Sequence, residues 1–309
     1  METVSETTIS LQALSHDLAH IVEHVSTAVV AINARRHLSS SGVYWREGVV
    51  VTAAHTIRQT EGISVVLATG QSVAASVAGV DPTADLAALR LDGVELSPPP
   101  FGDTSQLKIG HLVLAMGRGI QRGVNATLGI VGVLTGPWHT WRGALIDQFI
   151  GLDLELHPGA AGGPLTDSSG RVLGINTLGL SRRMALTIPV STVNRVVGQL
   201  LEKGHIGRGY VGLGLRSMPI PENLRGSLHL SANSGLIVVS VEPDGPGSKA
   251  GVLFGDVIVA LEGTAVNNIR DLQAFLEPES VGKTLSVSII RGGKLVEVNI
   301  TVGERRQKK

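Results

Sequence analysis

The sequence predicts a mostly β protein built as two successive units, on three observations. Hydrophobic residues make up 43% of the 309-residue chain but aromatics only 3%, so its cores must be filled by Val, Leu, Ile and Ala. From Val25 to about Val197 the chain runs in short β-branched stretches separated by Gly, Asp and Asn. That spacing suits a barrel or sandwich, with room for two small barrels. A glycine-spaced segment, Gly204, Gly207 and Gly209, then precedes a second set of strands ending near Val302. This length exceeds one small domain and suits two or three ordinary cores.

Between Ser10 and Val25, residues Leu11, Leu14, Leu18, Ile21, Val22 and Val25 recur three or four apart, which predicts an amphipathic helix. Such a helix either docks on the domain it precedes or serves as an arm between copies of the chain. Strands are expected at 28–33, 48–52, 63–67, 72–80, 86–91, 111–115, 127–134 and 172–175. Helical periodicity returns only near 193–201. The expected limits are a helical segment at 1–24, a first unit at 25–203, a hinge at 204–209, a second unit at 210–303 and a charged, solvated tail at 304–309. In the second unit strands are expected at 210–215, 236–241, 257–261, 285–290 and 296–301, with short helices near 248–250 and 268–276.

Composition removes several kinds of function. The 26 basic and 26 acidic residues balance, so no whole-chain field draws the protein to nucleic acid or anionic lipid. The absence of cysteine excludes disulfides, thiolate catalysis and cysteine metal sites. There is no phosphate loop, metal-ligand cluster or basic patch with aromatics, so neither a metal nor a cofactor is expected. Residues 1–24 lack the pattern of a signal peptide, and no segment approaches membrane-spanning length. The chain as written is therefore expected in the cytoplasm, or in the periplasm or outside the cell if a leader was trimmed.

Three stretches carry chemistry. In His157-Pro158-Gly159-Ala160-Ala161-Gly162-Gly163-Pro164-Leu165 the glycines let the backbone fold so tightly that successive amides point into one small space, which would hold a developing negative charge. In Val49-Val50-Val51-Thr52-Ala53-Ala54-His55 an apolar strand ends in small residues and a histidine suited to accept and return one proton. In Asp81-Pro82-Thr83-Ala84-Asp85-Leu86 an aspartate opens an apolar strand, where it would fix the tautomer of an imidazole. Each has a plain alternative: a surface histidine, an aspartate at 81 or 85 that caps a turn, a tight turn without purpose. Their combination in this order is far harder to obtain by chance.

With TAAH at 52–55, DLA at 85–87 and GGPL at 162–165, the chain resembles the trypsin-like serine proteases of the HtrA (high-temperature-requirement A) family from about Val25 to Val302. The resemblance implies two β-barrels with the active site in the cleft between them. It assigns His55, Asp85 and position 161 to the catalytic triad and the amides of Gly159 and Ala161 to the oxyanion hole. The family pattern GxSGGPL has serine where this chain has Ala161, so the chain as written should hold peptides without cutting them. Two histories fit: a protease whose serine was replaced, or a natural pseudoprotease acting as a holdase or PDZ adaptor. Retention of the other parts favours the first.

The strand Gly174 to Thr177 matches the one whose backbone, at Asn176 and Thr177, pairs with substrate as an added strand. By the same correspondence Leu156, Leu178 and Leu186 wall an apolar specificity pocket, which implies cleavage after small or medium aliphatic residues. Glu155 is the competing candidate and would favour a basic residue, but alternation with Leu152, Leu154 and Leu156 puts it on the other face. Gly235 to Val239 and the run Pro246 to Gly263 resemble a PDZ domain, with Tyr210, Val211, Gly212 and Leu213 as the loop that captures a peptide's C-terminal carboxylate. The loop Gly136 to Gly143, which holds Trp138 and Trp141, stands where the resemblance implies a loop that senses PDZ or substrate state, and a loop tryptophan is equally read as a plain surface anchor. The family also implies unfolded or peptide substrates and a homo-oligomer, a trimer, with the 10–25 helix or the next strand at the contact.

Overall fold

The computed structural model describes residues 10–34, 39–121, 123–181, 183–207 and 209–304. The chain divides into two compact units, residues 1–206 and 207–309, so the boundary falls inside the glycine-spaced segment. Arg208 and the tail beyond Glu304 lie outside the described residues.

The first unit opens with α1 (Leu11–Ser26), whose N-cap Ser10 accepts a hydrogen bond from the Ala13 amide at 3.3 Å. Ile21 and Val25 are its buried residues, as the periodicity requires. Six strands follow: β1 (Val29–Asn33), β2 (Ser40–Arg46), β3 (Val49–Ala53), β4 (Ile63–Val66), β5 (Ser72–Asp81) and β6 (Leu86–Leu91). They close into a barrel in the order β1-β2-β3-β6-β5-β4. Val30, Ile32, Tyr44, Val50, Val65 and Leu89 fill its interior. Sequence periodicity misses β2, because Ser40-Ser41-Gly42 has the composition of a turn. The glycine has a packing reason: a Cβ on Gly42 would lie 2.7 Å from side-chain atoms of both Ile32 and Val50.

The second barrel uses β7 (Leu112–Gly119), β8 (Gly123–Thr135), β11 (Phe149–Asp153), β12 (Pro164–Asp167), β13 (Val172–Thr177) and β14 (Leu186–Pro189), with a hairpin of β9 (Trp138–His139) and β10 (Leu145–Ile146) inserted after β8. Its order is β11-β14-β13-β12-β7-β8. Counted from its own first strand and read around the closed ring, that is the same order as in the first barrel. α2 (Val190–Lys203) is longer than its periodicity suggests and ends at Gly204, whose φ of 75° closes the helix. It follows the last strand of the second barrel, yet Arg90 of β6 donates to the carbonyl of Leu201 at 3.0 Å. Trp45 of β2 donates to Asn194 at 2.7 Å. Val193, Val196, Val197 and Leu200 join Val29, Val43 and Val51 of the first barrel and Val172, Ile175 and Ile188 of the second in one core. The helix thus straps the barrels together.

The second unit contains β15 (Gly209–Tyr210), β16 (Leu213–Pro219), α3 (Glu222–Ser227), β17 (Ser234–Val241), α4 (Pro246–Lys249), β18 (Val257–Leu261), β19 (Thr264–Ala265), α5 (Ile269–Gln273), β20 (Thr284–Arg291), β21 (Lys294–Thr301) and β22 (Gly303–Glu304). The expected strand 210–215 is broken, because Gly212 at φ 71° turns the chain between β15 and β16. The sheet runs β16-β17-β18-β20-β21, which leaves β16 at an edge. α5 begins with a capping box, Asn268 accepting from the Asp271 amide and Asp271 accepting from the Asn268 amide.

Candidate active site

The strand order already decides where the chemistry can sit. β3 pairs with β6, with Ala53 opposite Leu86. The turn after β3 therefore adjoins the residue before β6, and the Ala54 amide donates to the Asp85 carbonyl at 3.1 Å. His55 lies in a single 3-10 turn, Ala54–Thr56. Asp85 takes φ 57°, an uncommon conformation for a non-glycine residue that aspartate tolerates better than most. This bend sends its carboxylate back over the turn. Oδ1 accepts the His55 backbone amide at 2.8 Å and Oδ2 lies 2.8 Å from His55 Nδ1. The Thr177 hydroxyl from the second barrel donates to the same Oδ2.

Asp85 is 3% exposed, so its charge is held by these donors rather than by water. A proton on Nδ1 that faces Asp85 leaves Nε2 with the lone pair, and Nε2 is then the atom able to take a proton. The two aspartates of this stretch divide the two readings of the sequence. Asp81 Oδ1 accepts from the Thr83 amide at 2.9 Å and from the Thr83 hydroxyl, so Asp81 caps the turn and Asp85 faces the imidazole.

The glycine-rich loop lies between β11 and β12, and backbone bonds hold it on several sides. Gly162 donates to the Asn176 carbonyl and Asn176 to the Gly163 carbonyl, both at 2.8 Å. Ala160 donates to the His157 carbonyl at 2.9 Å, and Ser41 of β2 donates to the Ala161 carbonyl at 3.1 Å. Gly162, at φ 87°, passes so close to the end of β3 that a Cβ would lie 2.2 Å from Thr52 Oγ1 and 2.3 Å from the Ser41 carbonyl oxygen. A Cβ on Gly163 would lie 2.0 Å from the Met116 carbonyl oxygen. Both glycines are thus required by close approach of backbone to backbone. Among the described residues the amides of Gly159 and Ala161 donate to no protein acceptor.

Gly179 is a residue that sequence reasoning missed. A Cβ there would lie 2.5 Å from Asp85 Oδ2 and 2.9 Å from His55 Nδ1, so only glycine lets the loop after β13 cover the pair. Its signal was present in Thr177-Leu178-Gly179, a glycine two residues after the strand. Two expectations need correction. Asn176 spends its backbone amide and carbonyl on Gly163 and Gly162, so it has none left for a substrate strand, and Thr177 remains.

The second correction concerns the pocket. A cavity of about 990 Å³ is lined by Leu154, Glu155, Leu156, Leu178, Arg183 and Met184 among others, and Leu186 is not part of its wall. Leu186 is 2% exposed and lies in the middle of the sheet, its backbone paired with Gly151 on one side and Thr177 on the other. Glu155 does reach the cavity. β11 ends at Asp153, and beyond the strand the alternation of faces no longer sorts residues.

In the second unit the carbonyls of Val211 and Gly212 accept from Gly247 and Glu242, each at 2.8 Å. Leu213 then opens the edge strand β16, and Leu213 and Leu215 pack with Leu272, Phe275 and Leu276 around α5. Asp256 is 2% exposed and meets Arg291 through two bonds of 2.8 and 2.7 Å. Among the described residues no group of His, Asp or Glu could hold a metal ion. No helix there is long and apolar enough to cross a membrane.

Comparison with known proteins accords with this architecture. Residues 40–175 match the trypsin-like peptidase domain and residues 211–302 the PDZ domain. The chain is 34% identical over 275 residues to a probable periplasmic serine endoprotease, DegP-like, of Brucella suis, covering 85% of this chain and 52% of that protein. It is 32% identical over 268 residues to the serine protease Do-like HtrA of Lactobacillus helveticus, covering 82% and 65%. The chain thus spans about half the length of the first of these relatives. Among solved structures, the HtrA-type protease AlgW with decapeptide superposes with a TM-score of 0.76 at 26% identity, covering 94% of this chain and 99% of that one. The serine endoprotease from Yersinia pestis superposes with a TM-score of 0.75 at 28% identity, covering 93% and 98%. With a trypsin-like double barrel followed by a PDZ domain, and relatives of this kind over most of its length, the chain is similar to the HtrA-type serine proteases in both the content and the order of its domains.

Proposed function

We propose that this chain carries the complete site of an HtrA-type serine endopeptidase except for the nucleophile's oxygen. The observation that carries this reading is the His55 and Asp85 pair, locked by two bonds and a third from Thr177. In the serine form, Nε2 of His55 takes the proton of the residue-161 hydroxyl as that oxygen attacks the peptide carbonyl. Asp85 stabilises the imidazolium that forms, and the amides of Gly159 and Ala161 receive the negative oxygen. His55 then gives its proton to the leaving amine, and water repeats the sequence to release the acid. Alanine has no hydroxyl, so the chain as written binds peptides and does not cut them. Loss of this serine in such a triad costs on the order of a millionfold in turnover.

Ala161→Ser tests the reading. The revertant is expected to degrade casein and to be labelled by a serine-directed fluorophosphonate. A folded revertant that stays inert and unlabelled overturns it in favour of a pseudoprotease that holds peptides or acts as a PDZ adaptor, the reading that the alanine itself favours.

In the substrate cleft, Leu156 and Leu178 favour aliphatic residues before the cut bond, with Glu155 as the rival that would favour a basic one. At the PDZ unit the reading is a peptide C-terminus held by the amides of Val211 to Leu213 while the peptide adds a strand beside β16. Deletion of 208–309 removes that binding and leaves the cleft. The reading also includes a homo-oligomer, a trimer by the family resemblance, through α1 or the strand after it, which sedimentation in the analytical ultracentrifuge measures. Its compartment follows from whether a leader precedes Met1, the periplasm being that of the Brucella relative.

A further inference from the structure

Ser41 stands outside every role assigned above, yet it bonds to both ends of the stretch that carries the two candidate oxyanion donors. It lies in β2 and is fully buried. Its hydroxyl donates to the Gly159 carbonyl at 2.7 Å and accepts the Arg118 amide at 2.9 Å. Its backbone amide donates to the Ala161 carbonyl at 3.1 Å. Its own carbonyl accepts the Thr52 hydroxyl at 2.6 Å, which ties it to the strand that leads to His55. One residue of the first barrel therefore fixes two carbonyls of the second barrel's loop.

The two donors need different amounts of help. The Ala161 amide belongs to a peptide whose carbonyl, on Ala160, already accepts from Gly163 at 3.0 Å, and Ser41 holds the next carbonyl as well. Gly159 has no side chain and takes φ 89°, and among the described residues the peptide it forms with Ala160 is held only by the Ala160 amide on the His157 carbonyl at 2.9 Å and by Ser41. Among the described residues the only protein bond on its own amide or carbonyl is the one from the Ser41 hydroxyl. That hydroxyl cannot swing away, because its acceptor face is occupied by Arg118. The Arg118 guanidinium in turn donates to the carbonyls of Val29 at 2.6 Å and Ser26 at 2.8 Å, fixing β7 against β1 and the end of α1.

We propose that Ser41 is a positioning residue for the oxyanion pocket: its hydroxyl holds the Gly159 carbonyl, in the peptide that follows the Gly159 amide, and so limits how far the backbone at Gly159 can turn that amide away from the substrate oxygen. The proposal rests on the assignment of Gly159 and Ala161 as the oxyanion donors. It predicts an effect confined to the transition state, since a misaimed donor loses the tetrahedral oxyanion and leaves ground-state binding alone.

The experiment compares Ala161→Ser with Ala161→Ser/Ser41→Ala in peptide hydrolysis, in inhibition by a peptide boronate that forms a tetrahedral adduct, and in thermal unfolding. The expected result is a kcat lower by about 10- to 100-fold, less than complete loss of a donor causes. KM should stay within about twofold, and boronate binding should weaken by the same factor as kcat. Ser41→Cys, whose thiol is a weak donor of similar shape, is the second variant and should show the same split. A kcat within twofold of the parent, or a loss carried by KM with boronate binding unchanged, overturns the proposal. Failure of both variants to fold makes Ser41 a packing residue and also overturns it. An Ala161→Ser parent that is inert overturns the assignment of the site together with this proposal, whereas an active parent with an unaffected Ser41→Ala overturns only the proposal.

Discussion

The two barrels share one strand order and supply opposite kinds of chemistry. In each, the loop between the third and fourth strands and the loop between the fifth and sixth strands meet their counterparts. In the first barrel those loops carry His55 and Asp85. In the second they carry Ala161, with its glycines, and Gly179. The first barrel contributes side chains, an imidazole held by hydrogen bonds to a buried carboxylate. The second contributes main-chain donors, held by glycines that fit against Thr52, Ser41 and Met116. The difference leads us to expect that the side-chain groups of the site can be replaced with less harm to the fold than the glycines that fit backbone against backbone.

That contrast can be broken by measurement. The largest effect is expected for Asp85→Asn in the Ala161→Ser chain. Loss of the carboxylate leaves the imidazole in the wrong tautomer, and kcat should fall about ten-thousandfold with a modest change in melting temperature. Kinetics and a thermal scan on one preparation check it, and a collapse of the fold would erase the distinction between the barrels.

Gly162→Ala should do the reverse. A methyl 2.2 Å from Thr52 Oγ1, on backbone at φ 87°, should destabilise the first unit by roughly 3 kcal/mol, read by urea unfolding. A neutral result would mean that the loop yields easily.

The smallest effect serves as a control outside both barrels. Asp256→Ala breaks a pair whose carboxylate is buried and whose arginine side chain is 34% exposed, and should cost the PDZ unit about 2 kcal/mol. It should leave the turnover of the Ala161→Ser chain unchanged. Burial raises the Asp256 pKa, but hydrogen bonds from Arg291 and the Leu253 amide outweigh it and hold the group below its ordinary range. A folded value below the unfolded one means stability present above about pH 4 and lost as pH falls through the folded value. Acid unfolding of the PDZ unit should lose that slope in Asp256→Asn.

The same contrast governs what the sequence reveals. His55 and Asp85 are legible because their neighbours are: an apolar strand ending in small residues, and an acid at a strand's start. The choice of Asp85 over Asp81 is partly legible in the order of motifs, but its φ of 57° belongs to the folded turn. The loop at 159–163 is legible through its glycines. β2 is hidden because a barrel strand that must pass close to two others uses Ser and Gly where a propensity argument wants Val and Ile. The role of Leu186 is misread because a strand residue's neighbours depend on where the strand ends, which burial decides. Gly179 and Ser41 act through space, across 85 to 179 and 41 to 159 in the chain; Gly179 is marked locally only as a glycine two residues after a strand, and no local pattern marks Ser41.

The helix that straps the two barrels also bears on timing. Because each half of the site is built in a different barrel, a chain whose second barrel is unfinished has a base without an anion pocket. A serine at 161 would therefore acquire its cutting power only after both halves are closed and clasped. Newly made copies would pass through synthesis as harmless neighbours to one another, with no separate inhibitor needed during that interval.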